Sequence, residues 1–191
     1  GRVARVRLKY DRDPASAPAS LIAKFPATEP TAKGIGVALR FYEREIRIYD
    51  EVTRHVPLHT PKRYYGDMRL ETDEFILLIE DMAPARIGDQ VAGCSAADAA
   101  RIVPQLAAFH AHFWESPLLK QLDWMPYYND PCHHNAQASY RQAWPPFQKF
   151  VGDRLPAPVR EAGEWLNDNV VPLQALLSEP PITVMHGDFR L

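Results

Sequence analysis

The first part of the chain shows the short apolar and alternating patterns that are typical of strands. Residues 3–10 alternate between apolar and basic side chains, which predicts a half-buried strand with one solvated face. Three further strands are predicted over residues 21–25, 62–67 and 75–82. Because the last of these is continuously apolar, we expect it to be central and buried on both faces.

Helical periodicity occurs once among these strands and dominates after them. Residues 35–54 place their apolar side chains on one broad face, which predicts a single long helix. Three more helices are predicted downstream, over residues 95–114 (with Ser95 as N-cap), 137–151 (interrupted by Pro145 and Pro146) and 158–177. A short apolar run, residues 182–185, predicts one more strand.

This order of elements predicts an α+β protein with two lobes. Residues 1–82 would form an N-lobe, a small antiparallel sheet with one helix. Residues 83–191 would form a mainly helical C-lobe, and we place the boundary after Met82 because Ala83 and Pro84 stop the preceding strand.

Composition excludes several classes of protein. Of the 191 residues, 46% are hydrophobic and 24% are charged, as in ordinary globular domains, and the net charge of -2 argues against a broad basic surface for nucleic acid. No apolar run reaches the length of a membrane span, and no secretory signal opens the chain. Cys94 and Cys132 lie far apart in the sequence, so we expect no disulfide scaffold and a cytoplasmic protein. From the net charge and the lack of a long apolar run, we expect neither nucleic acid nor a membrane as a partner.

The first candidate for chemistry is Asp188, which follows the apolar run 182–185 in the sequence His186-Gly187-Asp188. A strand that delivers an Asp onto the loop beyond it can hold a catalytic base where a substrate hydroxyl reaches it. The alternative is a polar turn that closes a strand. We expect His186 to brace the loop rather than to transfer protons.

A second candidate joins Lys24 to Glu45. Lys24 lies among apolar neighbours in a predicted strand, and it is either a phosphate-binding cation or a lysine whose stem snorkels to water. At about 100° per residue, Glu45 falls in the middle of the apolar helix face, between Phe41 and Tyr49. A carboxylate in that position needs a partner, so we predict an ion pair with Lys24; a local hydrogen-bond network is the alternative.

Other polar groups predict less. His110 and His112 fall on different faces of their helix, so we expect packing or hydrogen bonding there, and no metal site is predicted anywhere in the chain. The long segment 118–135 either lines an acceptor pocket or packs on the surface.

Five short strings of residues, taken in order, carry a resemblance to one family. They are residues 20–24, 41–45 with Tyr49, 77–82, 106–111 with Phe113 and Trp114, and 186–189. With them the sequence is similar to the aminoglycoside phosphotransferase and choline kinase-like group, which has a protein-kinase-like fold, and within it to the ecdysteroid kinase-like branch. Together the strings span nearly the whole chain in the family's order.

The resemblance implies an ATP-dependent kinase that uses Mg²⁺ and phosphorylates a hydroxyl of a small molecule. Lys24 would contact the α- and β-phosphates of ATP, and Glu45 would hold it in place. The backbone of Glu80, Asp81 and Met82 would form the hinge that meets adenine. Asp188 would accept or orient the substrate's hydroxyl proton, and Arg190 would contact phosphate.

The ends of the chain add two expectations. Gly1 leads directly into a strand without a preceding Met, and the chain stops three residues after Asp188, so we expect an internal piece of a longer protein. The family's metal-binding Asn and Asp come later than this point. We therefore expect this piece alone to have little or no activity.

Two rival functions stay open. A kinase-like module could hold a nucleotide or another small ligand without transferring phosphate. A hydrolase using Asp188 with His186 or His110 is the more distant rival, because no Ser or Cys nucleophile sits at a recognisable elbow.

Overall fold

The computed structural model describes residues 1–12, 15–56, 58–86 and 88–188. The α+β class is confirmed, since an antiparallel sheet comes first and helices follow, as in a kinase-like two-lobe fold. The chain forms two compact units, one of residues 1–122 with 183–191 and one of residues 123–182. This division does not coincide with the lobe boundary placed after Met82, which stays a prediction.

The sheet of the first unit has four antiparallel strands in the order β1-β2-β4-β3. Their bounds are Arg2–Arg7 (β1), Ser20–Phe25 (β2), Arg63–Arg69 (β3) and Glu74–Glu80 (β4). The prediction that the apolar run in β4 is central is confirmed. Its burial alternates, however, so one face is fully buried and the other only partly. β1 also differs from the expectation of a half-buried strand, because all six of its residues are exposed.

The single helix predicted over residues 35–54 is wrong. The structure has α1 at Pro30–Ala38 and α2 at Phe41–Arg47, so two helices lie between β2 and β3 where one was predicted. The break falls at Arg40, whose φ of 53° is left-handed and cannot continue an α-helix. Beyond α2 the chain winds through a π-helical turn, Ile48–Val52, and a 3₁₀ turn, Thr53–His55.

The core of the first unit lies between α2 and one face of the sheet. Tyr42 of α2 stacks on Phe75 of β4, with ring centroids 5.1 Å apart, and Leu77 and Ile79 complete the buried cluster. Leu77 is 0% exposed. This packing fixes the position of α2 on the sheet, and it therefore also fixes the directions in which the remaining side chains of α2 point.

The third helix, α3, covers Ala96–Phe113. The predicted cap is confirmed, because Ser95 Oγ accepts a hydrogen bond from the Asp98 amide at 3.0 Å. The strand predicted at residues 182–185 is wrong, since this stretch is irregular. A strand needs main-chain hydrogen bonds to a neighbouring strand. Thr183 instead uses its side chain, because its hydroxyl donates to the His110 carbonyl of α3 at 2.6 Å.

The second unit is built on two long helices, α4 at Ala136–Val151 and α5 at Ala157–Leu176. The expected interruption at Pro145 and Pro146 is wrong, because α4 runs through both prolines. Packing against α5 compensates for the lost main-chain bonds. The Tyr140 hydroxyl donates to the Gly163 carbonyl at 2.9 Å, and the Trp144 ring occupies the space that a side chain at position 163 would need.

In the described part of the chain, no helix is both long enough and apolar enough to cross a bilayer.

Candidate active site

The structure brings Lys24 and Glu45 together in an ion pair. β2 holds Lys24 opposite Leu77 of β4, and α2 presents Glu45 from above the sheet. Lys24 Nζ donates directly to Glu45 Oε1, and the two side chains are 31% and 30% exposed. The ammonium group is thus oriented by the protein and still reachable from solvent, which a phosphate-binding cation requires. That role itself stays a prediction.

Contacts from β3 reach both α2 and the turn that follows it. A Cβ at Gly66 of β3 would lie 2.9 Å from Arg63 Nη1, 3.3 Å from Leu77 Cδ1 and 3.4 Å from Ile46 Cγ1 of α2. Arg63 of β3 also pairs with Asp50 of the π-helical turn. These contacts from β3 help to position Glu45, which directly precedes Ile46.

Tyr49 lies one turn after Glu45 and shares its surroundings. Burial, and then the charge of the Glu45 carboxylate, raise the pKa of Tyr49 to about 12. The phenol therefore stays protonated at physiological pH, and it adds no negative charge beside the Lys24–Glu45 pair.

The segment after β4, predicted as the hinge, is held by the side chain of Asp81. Its Oδ2 accepts hydrogen bonds from the Ser20 hydroxyl at 2.7 Å and from Arg5 Nε at 2.6 Å. Oδ1 accepts from Arg5 Nη2 and from the Ala83 amide, each at 3.2 Å. The Ser20 and Arg5 hydrogen bonds lower the pKa of Asp81 from 3.8 to about 2. This carboxylate ties together β1, β2 and the segment after β4.

Main-chain groups of the same segment are left for a ligand. Glu80 is used within the fold, since its amide donates to the Lys62 carbonyl and its carboxylate accepts from the Lys62 amide. Among the described residues, the amide of Met82 and the carbonyl of Asp81 have no hydrogen-bond partner. The two groups belong to one trans peptide unit and therefore point to opposite sides of the chain, so one of them at a time can face a purine base.

Asp188 lies at the end of a segment that is bonded to α3 through Thr183. Val184 is buried, Thr183 bonds to α3, and Gly187 turns the chain with a φ of 74°. Asp188 itself is exposed. Arg190 lies outside the described residues.

Sequence reasoning missed the Asp81 clamp. Asp81 entered the prediction for its backbone, and Arg5 was assigned to a solvated strand face. The two residues are 76 positions apart, and no local pattern connects them. A weak signal was present in the sequence, where the acids Glu80 and Asp81 follow an apolar strand. Carboxylates beside a buried strand need hydrogen-bond or ion-pair partners.

Comparison with known proteins supports one family. A profile of the ecdysteroid kinase-like family matches residues 1–190, which is nearly the entire chain. No curated protein and no solved structure matches it. At the level of the family, this is a kinase-like phosphotransferase that acts on small molecules. Because this match covers nearly the entire chain, the chain belongs to the ecdysteroid kinase-like family.

Proposed function

We propose that the protein is an ATP-dependent kinase that transfers the γ-phosphoryl group of ATP to a hydroxyl of a small-molecule acceptor. The observation that carries this proposal is the ion pair between Lys24 on a strand and Glu45 on the helix above it. In kinases such a pair orients a cation toward the nucleotide's phosphates.

The described residues fit the nucleotide at two points. The partly exposed Lys24 supplies a positive charge for the phosphates, and Glu45 prevents the ammonium from swinging away. Either the amide of Met82 or the carbonyl of Asp81 supplies one main-chain hydrogen bond to adenine. Because the Asp81 carboxylate is bonded to Ser20 and Arg5, the backbone of this segment is held in place before any ligand arrives.

ATP supplies the phosphoryl group. We assign Asp188 to the acceptor: its carboxylate takes the hydroxyl proton as the acceptor oxygen bonds to the γ-phosphorus and the bond from that phosphorus to ADP breaks. Lys24 stabilises the negative charge that this transfer leaves on the nucleotide. Mg²⁺ normally accompanies ATP, but the described residues do not group three metal-ligating side chains, so we assign no step to the metal.

We also propose a cytoplasmic location, because the reaction consumes ATP and because Cys94 and Cys132 are free thiols.

The test is Mg·ATP binding by calorimetry on the full-length natural protein, followed by phosphate transfer to a panel of small alcohols. We expect Lys24→Met to weaken ATP binding by about 10- to 150-fold, because a charged hydrogen bond contributes about 1.5–3 kcal/mol. Lys9→Met, which removes an exposed lysine elsewhere in the first unit, should leave affinity unchanged. Asp188→Asn should retain ATP binding and lose transfer.

Three outcomes contradict parts of this assignment. If the wild type does not bind ATP, the shared motifs describe a fold without this function. If it binds ATP but phosphorylates no alcohol, the protein is a nucleotide-binding module. If Asp188→Asn transfers phosphate at the wild-type rate, the base lies elsewhere.

A further inference from the structure

A cavity of about 250 Å³ lies in the first unit, apart from the proposed nucleotide site. Its apolar wall is formed by Phe113 at the end of α3, together with Leu118 and Leu122. Phe113 and Leu122 are buried, so this wall is a fixed part of the fold. The polar groups of the lining come from the π-helical and 3₁₀ turns after α2, which contribute Glu51, Arg54 and His55, and from Gln121, which directly precedes Leu122.

One of these polar groups is a cation with no partner among the described residues. The guanidinium of Arg54 makes no hydrogen bond or ion pair with any of them, and the same holds for the side-chain amide of Gln121. Glu51 also lines the cavity, but Arg47 Nε pairs with its Oε1 at 2.7 Å and neutralises it. The ring of His55 is stacked with that of His112, at a centroid distance of 6.5 Å. The cavity therefore offers one uncompensated positive charge and one neutral amide beside an apolar surface.

These features define a class of ligand. A single cation with a paired carboxylate nearby favours a monoanion over a dianionic phosphate. The planar fork of a guanidinium matches a carboxylate with two parallel hydrogen bonds. The volume lies below the usual range of about 300–1,000 Å³ for drug-sized ligands, so the apolar body must be small, such as one ring or a short aliphatic chain.

We propose that this cavity binds a small organic monocarboxylate. Arg54 and Gln121 bind the carboxylate, and Phe113, Leu118 and Leu122 contact the apolar body. The π-helical turn Ile48–Val52 lies between Glu45 and this site, and π-helical turns are frequent at functional sites. The proposal does not depend on the kinase assignment, because it uses neither Lys24 nor Asp188.

The experiment titrates the protein with benzoate, in the absence of nucleotide, and follows backbone amide shifts of residues 51–55 and 118–122 by NMR. Benzyl alcohol is the neutral probe of similar shape, and phenyl phosphate is the dianionic one. We expect saturable shifts with benzoate and at least about tenfold weaker binding of benzyl alcohol, because the charged hydrogen bonds are lost. Phenyl phosphate should also bind more weakly than benzoate.

Three variants locate the site. Arg54→Met removes the charge from an exposed position and should weaken benzoate binding at least about tenfold. Leu118→Trp fills the cavity from the apolar side and should abolish binding even if Arg54→Met is unstable. Lys120→Met, which removes a nearby exposed cation that does not line the cavity, is the matched control and should bind within about twofold of wild type.

The proposal is overturned if benzoate causes no saturable shifts in these residues. It is also overturned if benzyl alcohol binds as tightly as benzoate, or if folded Arg54→Met and Leu118→Trp variants keep wild-type affinity. Equal losses in Arg54→Met and Lys120→Met would show non-specific attraction to positive charge and would likewise refute a built site.

Discussion

Lys24→Met, Glu45→Gln and the double variant measure how much the ion pair between β2 and α2 contributes to stability. Each side chain is about one-third exposed, at 31% and 30%, so the pair lies between two known regimes. Fully exposed pairs contribute about 0.2–1 kcal/mol, whereas breaking a buried pair costs about 3–5 kcal/mol. We expect a coupling free energy of about 1 kcal/mol, near the upper limit for exposed pairs, because water still solvates a charge left alone.

The assay is urea unfolding of the wild type, both single variants and the double variant, analysed as a double-mutant cycle. Arg40 and Glu43 provide a matched control, since this pair has a good geometry at 2.7 Å but lies within one turn and leaves Arg40 58% exposed. We expect that control cycle to give about 0.2–0.5 kcal/mol. Added salt should reduce the control coupling more than the Lys24–Glu45 coupling, because partly buried charges are screened less.

Two results would refute the reasoning. A Lys24–Glu45 coupling no larger than that of Arg40 and Glu43 would mean that the strand and helix do not hold these groups together. A coupling above about 3 kcal/mol would mean that the pair is buried, and a buried lysine could not meet a phosphate without rearrangement.

Three further predictions concern the framework. The pKa of Asp81 is lowered to about 2, so its carboxylate stabilises the fold above about pH 4. This stabilisation is lost as the pH falls from 4 towards 2. Asp81→Asn should therefore make the urea midpoint depend less on pH in that interval. In α1, the methyl group of Gly34→Ala meets no atom within 4 Å, so this substitution should raise the free energy of unfolding by up to about 1 kcal/mol. The methyl group of Gly36→Ala would lie 2.9 Å from the Tyr42 ring, so that substitution should lower it by about 1–3 kcal/mol in the same assay. Leu77→Ala, at a position that is 0% exposed, should destabilise by about 2–5 kcal/mol by chemical denaturation, and a loss below about 1 kcal/mol would show that β4 is not the centre of the core.

The sequence predicted those features that depend on local pattern. Apolar runs identified β2 and β4, and Ser95 marked the start of α3. The meeting of Lys24 and Glu45 was also predictable, because a carboxylate in the middle of an apolar helix face needs a partner. Even so, the helix from which this pair was predicted was given the wrong bounds. One helix was predicted over residues 35–54, whereas Glu45 lies in the shorter helix α2, which begins after the break at Arg40.

The features that were missed depend on tertiary structure. Nothing in the residue type of Arg40 signals its left-handed backbone, because this conformation is uncommon for residues other than glycine. The Asp81 clamp joins residues 76 positions apart. The prolines of α4 are poor helix formers, but contacts with α5 outweigh that local preference.

The exposure of β1 has a consequence for how the sheet opens. All six residues of this strand face solvent, so the ladder with β2 and the bond from Arg5 to Asp81 hold it in place, without help from the core. In hydrogen exchange we expect its amides to exchange well before those of β4, through a local opening that leaves Leu77 and its neighbours packed. Each such opening removes Arg5 from Asp81 while Ser20 stays bound. Fraying of an edge strand therefore removes one of the two side-chain anchors of the backbone proposed to meet adenine and leaves the other in place, without unfolding of the domain.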